Sequence, residues 1–423
     1  MTVQGSRRRN SMIDKNKVEK LVTEGKHFCV LPWVHFHAWP DKRVMPCCVA
    51  DSNMPVAQIE GDQSIIEMMN SDRYKEIRAA MLDDIEVPEC KRCFDLELMG
   101  TWTMRQSHNK RRGQDYVNYI AENTQEDGAL SEFEMKYMDI RFSNLCNMKC
   151  RTCGPELSSK WYDDQIKLFP GYERPKFIDV NSADDFMGKL RPHLDTIEEV
   201  YFAGGEVLIT PQHYEVLDYW LKNNRRDVRL RYTTNFSNLR HKQKSMFDYW
   251  KLFDDVRVAA SLDTFGTRAE YSRSGTNWDV IVQNRREMIE ACPNTYFELT
   301  PTISIFSVYK LFEFHKTWVE EGLLDINNIR INILTHPRYF SMTILPKEFK
   351  DNIAGIYKEY VKWLQENNAW EHIIKDVEGI VEHMYSADNS NLIPDFIKHV
   401  EAIDNVRNEK FTDIYPEYKD LWT

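Results

Sequence analysis

No stretch of this chain approaches the roughly 20 consecutive apolar residues that a membrane span needs, although 42% of its 423 residues are hydrophobic. Its start, MTVQGSRRRN, is basic but lacks the apolar run of a signal peptide. A soluble, cytoplasmic protein without a membrane partner is therefore expected. A basic surplus is missing too. Lys and Arg number 55 against 66 Asp and Glu, for a net charge of −11 and a pI near 5.6, which argues against a broad nucleic-acid surface. Cysteine nearly vanishes after the first third. Eight of nine fall before residue 154, and Cys292 alone follows, late in an apolar helix, as a core residue. In a reducing compartment such close spacings favour metal over disulfides.

What is there begins with CNMKCRTC. Cys146, Cys150 and Cys153 follow the strand-like run Tyr137–Phe142 at C-x3-C-x2-C spacing. Three thiolates on one compact loop can ligate an iron–sulfur cube and leave its fourth iron open. Three buried small hydrophobes, or part of a zinc site, are the plainer readings. Nearer the start, HFCVLPWVHFHAWPDKRVMPCC predicts a short hairpin from Cys29 to Cys47 with a Pro-Asp-Lys turn. His27, His35 and His37 read as a polar strand face and not as ligands. An amphipathic helix follows over Ser64–Leu82, and then PECKRC with Cys90 and Cys93. Those four cysteines could hold either a structural zinc or a fully ligated [4Fe–4S] cluster. The polar run near 101–130 reads as linker, which places a small α+β domain at 1–110 and the linker at 111–130.

From 131 to about 345 strand-like and helix-like runs alternate. The strands are expected at Met135–Phe142, Glu199–Ala203, Val228–Thr233, Val256–Ser261, Thr295–Thr302 and Ile329–Leu334. Six βα units in series predict an α/β fold, a partial (β/α)6 barrel with function at the C-terminal ends of its strands. There lie Gly204-Gly205-Glu206, Thr233-Thr234-Asn235, Ser261-Leu262-Asp263 with YSRSGTNWD, and Arg338-Tyr339. Residues 346–423 read as C-terminal helices, the first starting at Pro346, packed over the barrel or serving as a lid.

The cysteine spacing after a first strand, with GGE and SLD…R-S-G…WD behind it, resembles the radical S-adenosylmethionine (SAM) superfamily. The order CVLPW, MPCC, helix and CKRC resembles its SPASM/twitch domain, here placed ahead of the barrel. What the resemblance implies is specific. Cys146, Cys150 and Cys153 would hold a [4Fe–4S] cluster whose open iron chelates SAM. Its one-electron reduction would yield a 5′-deoxyadenosyl radical that takes a hydrogen atom from substrate. Cys29, Cys47, Cys90 and Cys93 would hold an auxiliary [4Fe–4S] cluster, with Cys48 as the alternative to Cys47. Gly204, Gly205 and Glu206 would hold the methionine amino group, Ser261 and Arg273 the carboxylate, and Asp263 the ribose hydroxyls or only the turn. Val207 stands where the family often has proline, and Thr152 where many members carry an aromatic residue. The expected function is an oxidoreductase or transferase acting on a peptide or protein side chain with auxiliary-cluster electron transfer, fed by an external donor such as a flavodoxin or ferredoxin. Dehydrogenation of a small alcohol or sugar is the alternative, and a non-catalytic zinc-binding interaction protein is the alternative of another class.

Overall fold

A strand with both faces buried stands where the sequence predicts only one arm of a hairpin. In the computed structural model, which describes residues 13–180, 185–241 and 243–422, His35–Ala38 (β1) turns back through Lys42, at φ 70°, into Arg43–Met45 (β2). β2 continues antiparallel into Ala57–Gln58 (β3). The other edge of β1 runs parallel to Tyr137–Ile140 (β4), with His35 opposite Tyr137 and His37 opposite Asp139. The hairpin expected from Cys29 to Cys47 is thus present only over 35–45, since Leu31–Val34 is helical, and its first strand also pairs with β4. The basic start MTVQGSRRRN lies outside the described residues.

The described residues form two compact units that interleave in sequence. The first takes those of 1–143, 179–204 and 214–228; the second takes those of 144–178, 205–213 and 229–423. In the first unit Glu199–Phe202 pairs in parallel with β4. Side chains alternate along these strands. Phe36, Ala38, Met138, Ile140, Val200 and Phe202 form the apolar face, joined by Phe186 and Trp220. The opposite face carries His35, His37 and Asp139, all at 0% exposure.

The helix expected over Ser64–Leu82 is two helices. Ser64 caps Ile65–Met69 in a capping box with Glu67, and Ser71 re-caps the chain for Asp72–Leu82. A second N-cap satisfies fresh backbone donors and lets the axis change direction, which the apolar stripe alone does not reveal. From the second helix the fully buried Arg78 donates to the carbonyls of Pro32, Met69 and Gly128. Asn70 exchanges two hydrogen bonds with the backbone of Leu130. Residues 111–130, read as linker, are thereby fastened inside this unit.

In the second unit Arg229–Thr234, Val256–Ala260 and Tyr296–Leu299 run parallel in that order. Parallel neighbours need long returns, here supplied by the helices Met246–Trp250 and Trp278–Ala291. The sixth expected strand is only partly present. Ile329 bridges Leu299, and Asn332–Ile333 pairs with Thr302–Ile303 in a separate two-stranded sheet. What stands is thus a mixed α/β fold around parallel strands. The C-terminal helices are Lys347–Glu366 with Pro346 at its N-cap, Glu371–Tyr385 and Ile393–Arg407.

Candidate functional site

The three-cysteine loop is built against the strand that carries Arg273. Lys149–Cys150 pairs antiparallel with Arg273–Ser274, placing Cys150 opposite Arg273. The Arg151 amide donates to Ser272 O (2.8 Å), and the Cys153 amide to Cys150 O (3.0 Å). Gly275, at φ 105°, allows the approach, since a Cβ there would lie 2.9 Å from Asn147 O. The start of the loop hangs on Asn144. This fully buried side chain donates to Pro155 O and Lys176 O and accepts from the Ile178 amide.

The electrostatics of the loop suit a bound cation. Burial, with the neighbouring Cys150 adding to it, pushes the thiols of Cys146 and Cys153 up to about 12. Cys150 is raised by burial and opposed by Arg273, whose Nη1 lies 3.8 Å from its sulfur. Three thiolates this close repel one another in a dry site and need a metal charge to stay deprotonated. Three thiolate ligands on one loop fit an iron–sulfur cluster with one open position.

Around the loop the other expected residues fall into two groups. Glu206 is buried. Its Oε1 accepts from the Leu208 amide (3.1 Å) and Thr234 Oγ1 (2.7 Å), and its Oε2 from the Asn235 amide (2.7 Å). Burial raises this carboxyl against those donors. Gly205 packs onto the loop itself: a Cβ would sit 2.3 Å from Leu145 O, and the next amide, of Glu206, donates to that same carbonyl at 2.7 Å. Gly204 adopts φ 109°. Asn235 donates on to Asn147 in the loop (2.9 Å). In the second group Arg273 and Asp263 form a fork, Nε to Oδ2 at 2.8 Å and Nη2 to Oδ1 at 3.0 Å. Asp263 also accepts from the Thr302 amide. Ser261 contributes its backbone, donating to Thr234 O (2.8 Å). Asp263 is thus a partner for Arg273, a pairing the sequence reading did not anticipate. Arg338 and Tyr339 face the C-terminal helices instead, hydrogen-bonding Asn389 and stacking on His399.

A second ring of contacts comes from the C-terminal segment. Arg151, 2% exposed, lays its guanidinium over the Tyr271 ring at 3.5 Å and pairs with Asp404 (2.5 Å) and with Glu409. Asp404 also accepts from Tyr271 Oη (2.7 Å) and the Phe411 amide (2.7 Å). Next to it Asp164 joins Lys149 (2.9 Å) to Arg407 (2.8 Å). Trp161, under Arg407, donates to Cys150 O. The helix Ile393–Arg407 therefore grips the loop from behind, a role with no local sequence signal.

In the first unit Cys29, Cys47, Cys90 and Cys93 line one small cavity together with Leu31, Met104 and Arg105. Cys90 caps the helix Lys91–Leu98, and Cys93 sits in its first turn. Burial pushes Cys47 up to about 12 and lifts Cys29 and Cys90, with neighbouring thiols adding to each. Arg105 is anchored by Glu97, by Gly25 O and by Phe28 O. It brings a positive charge to the cavity, and four converging thiols fit a cluster ligated at all four irons. Cys48 is not among these lining residues; its thiol lies 3.7 Å from Met104 Sδ and faces the Asp139 carboxylate.

Comparison with known proteins identifies residues 29–94 as matching the SPASM family, an iron–sulfur cluster-binding domain. No curated protein matches the chain. Solved structures similar to it include anSMEcpe with bound AdoMet and the Cp18Cys peptide, at 12% identity and TM-score 0.35, covering 54% of this chain and 60% of that one. SuiB of Streptococcus suis bound to S-adenosylmethionine has 14% identity and TM-score 0.38, covering 70% and 60%. TYW1 with a lysine-pyruvate adduct bound has 14% identity and TM-score 0.28, covering 55% and 71%. The chain thus spans about 60% of the length of the first of these. Among the described residues, no helix is long and apolar enough to cross a membrane.

Proposed function

We propose that this chain, which carries an iron–sulfur SPASM domain at residues 29–94, is a radical SAM enzyme that modifies a peptide or protein side chain. The observation that carries the reading is the assembly around Cys146, Cys150 and Cys153 within one unit. The loop is paired in register with Arg273, backed by Gly205 and braced by Glu206 through Asn235 and Asn147. A zinc scaffold needs none of these five residues.

In this reading Cys146, Cys150 and Cys153 hold the SAM-binding [4Fe–4S] cluster, and Cys29, Cys47, Cys90 and Cys93 hold the auxiliary one. When bound, the cluster and SAM supply one-electron reductive cleavage, giving the 5′-deoxyadenosyl radical that removes a hydrogen atom from substrate. The protein's own part is binding and electrostatics. Arg273 offers a planar, permanently charged donor set for the SAM carboxylate, held in place by Asp263. Glu206 keeps lone-pair capacity beside its three donors for the methionine ammonium. Partial burial of the thiols strengthens the charge interactions around them. Gly205 keeps the Glu206 backbone against the loop. The auxiliary cluster that Cys29, Cys47, Cys90 and Cys93 would hold would supply a relay or acceptor for an electron in an oxidation or cross-link of the side chain. A small donor protein such as a flavodoxin or ferredoxin supplies the reducing electron in a cytoplasmic setting.

The test is anaerobic iron and sulfide analysis of the reconstituted protein and of Cys146→Ala/Cys150→Ala/Cys153→Ala, with 5′-deoxyadenosine measured under dithionite. About eight irons falling to about four, with 5′-deoxyadenosine formed only by the unaltered protein, is the expected result. Stoichiometric zinc with no iron uptake would overturn the reading.

A further inference from the structure

On the polar face of β1 and β4 stand three side chains that the proposed cluster chemistry does not use. His35 and His37 alternate onto the same face of β1, and the parallel register sets Asp139 of β4 opposite His37. All three are at 0% exposure. The imidazole rings lie nearly parallel, 6.1 Å apart, and one donor atom from each of the three residues lies within 4.8 Å of the other two.

The proton positions follow from the neighbours. His35 Nδ1 faces Tyr137 O at 3.0 Å, and His37 Nδ1 faces Asp139 O at 2.8 Å. A carbonyl can only accept, so each Nδ1 carries the proton and each Nε2 keeps its lone pair. Neither Nε2 has a hydrogen-bond partner. A backbone carbonyl on one ring nitrogen and a bare lone pair on the other is the arrangement in which metal-bound histidines are held. The Asp139 carboxylate lies 3.2 Å from His37 Nδ1 and 3.8 Å from Arg141 Nε, with the Cys48 thiol beside it, and neither oxygen takes a well-aligned hydrogen bond. The two Nε2 lone pairs, buried with no donor to accept from, would each carry an uncompensated desolvation cost.

We propose that His35, His37 and Asp139 form a mononuclear site for a divalent first-row transition metal, Zn²⁺ or Fe²⁺. Two neutral imidazoles and one carboxylate suit such ions, and three protein ligands leave coordination positions open for an oxygen donor. Metal–ligand bonds of about 2.0–2.2 Å require the donor atoms to close from a spread of up to 4.8 Å. The site is distinct in ligand type from both cysteine sets and does not depend on the radical reading.

The experiment uses the full chain with its clusters reconstituted anaerobically, incubated separately with Zn²⁺ and with Fe²⁺ and then desalted. Zinc is counted by mass spectrometry and its shell read by X-ray absorption, and added iron is read by Mössbauer spectroscopy as high-spin Fe²⁺ outside the clusters. Retention of one added ion with a nitrogen/oxygen shell, lost in His35→Gln/His37→Gln and in Asp139→Asn while sulfide stays unchanged, is expected. Retention of zinc rather than ferrous iron, or the reverse, identifies the metal. No retention of either ion by the unaltered protein, a sulfur shell, or retention undiminished in the variants overturns the proposal. If the variants do not fold, the shell of the unaltered protein still decides it.

Discussion

Replacing Asp404 by alanine removes the carboxylate that Arg151 Nη2, Tyr271 Oη and the Phe411 amide all use. Arg151 is 2% exposed and Asp404 7%, so the pair is dry, and taking one partner from a buried pair costs about 3–5 kcal/mol because the other charge stays behind. Glu409 remains on Arg151, which holds the loss at the lower end, about 3 kcal/mol. For a cooperative unit of 150–250 residues each kcal/mol moves the Tm by about 2–4 °C, so a drop of roughly 6–12 °C is expected. Calorimetry on the reconstituted protein measures it, with Asp413→Ala as control. Asp413 pairs with Lys410 on the surface, with 65% and 70% side-chain exposure, where pairs contribute little. Because Arg151 lies between Cys150 and Cys153, iron should also leave Asp404→Ala faster under a chelator than it leaves the control. Equal Tm values and equal iron loss in the two variants would refute the idea that the C-terminal helix holds the loop.

Gly205→Ala places a Cβ 2.3 Å from Leu145 O; overpacking of this kind costs about 1–3 kcal/mol, and the variant should retain less iron on the three-cysteine loop, so unchanged iron content would count against the close approach. His213 is fully buried, bonded to Tyr232 Oη at 3.0 Å, and burial, with His241 adding to it, lowers its pKa from 6.5 to about 3. The unfolded chain therefore takes up the proton first: the stabilising contribution is complete above about 6.5 and is lost as pH falls from there towards 3. Urea midpoints between pH 7 and pH 5 should fall for the unaltered protein. His213→Phe should show a shallower slope, by up to about 1.4 kcal/mol per pH unit, and identical slopes would remove His213 from the account.

Distance along the chain separates what could be read early from what could not. Cys146, Cys150 and Cys153 lie within eight positions, and the helix from Pro346 carries its stripe in Ile353, Tyr357, Tyr360 and Leu364, so local spacing sufficed for both. The break at Asn70–Ser71 was hidden because the apolar stripe continues through it while a single serine hydroxyl re-caps the chain. Parallel pairing of β1 with β4 joins positions 102 residues apart, and no local pattern announces it. The burial of the histidines was hidden for the same reason. Alternation correctly separated His35 and His37 from Phe36 and Ala38, but whether the polar face meets water depends on β4.

Separation along the chain is also why the C-terminal segment shows no constellation of its own. Its buried Asp404 and Arg407 are halves of pairs whose other halves are Arg151 in the cysteine loop, 253 positions away, and Asp164 in the helix Tyr162–Leu168 that follows it, 243 positions away. A cluster loop must place three sulfurs within bonding reach of one metal centre, yet a segment as short as 146–153 cannot bury itself. It borrows rigidity through Arg151 and Lys149, one on each side of Cys150, while Arg273 and Asn235 hold its other contacts. Arg273, and Arg407 behind Asp164, also oppose the charge on Cys150, so two residues that fasten the loop soften the repulsion among its ligands. Anchoring and charge compensation thus fall to the same side chains, and such a loop should tolerate loss of an exposed neighbour far better than loss of either cation.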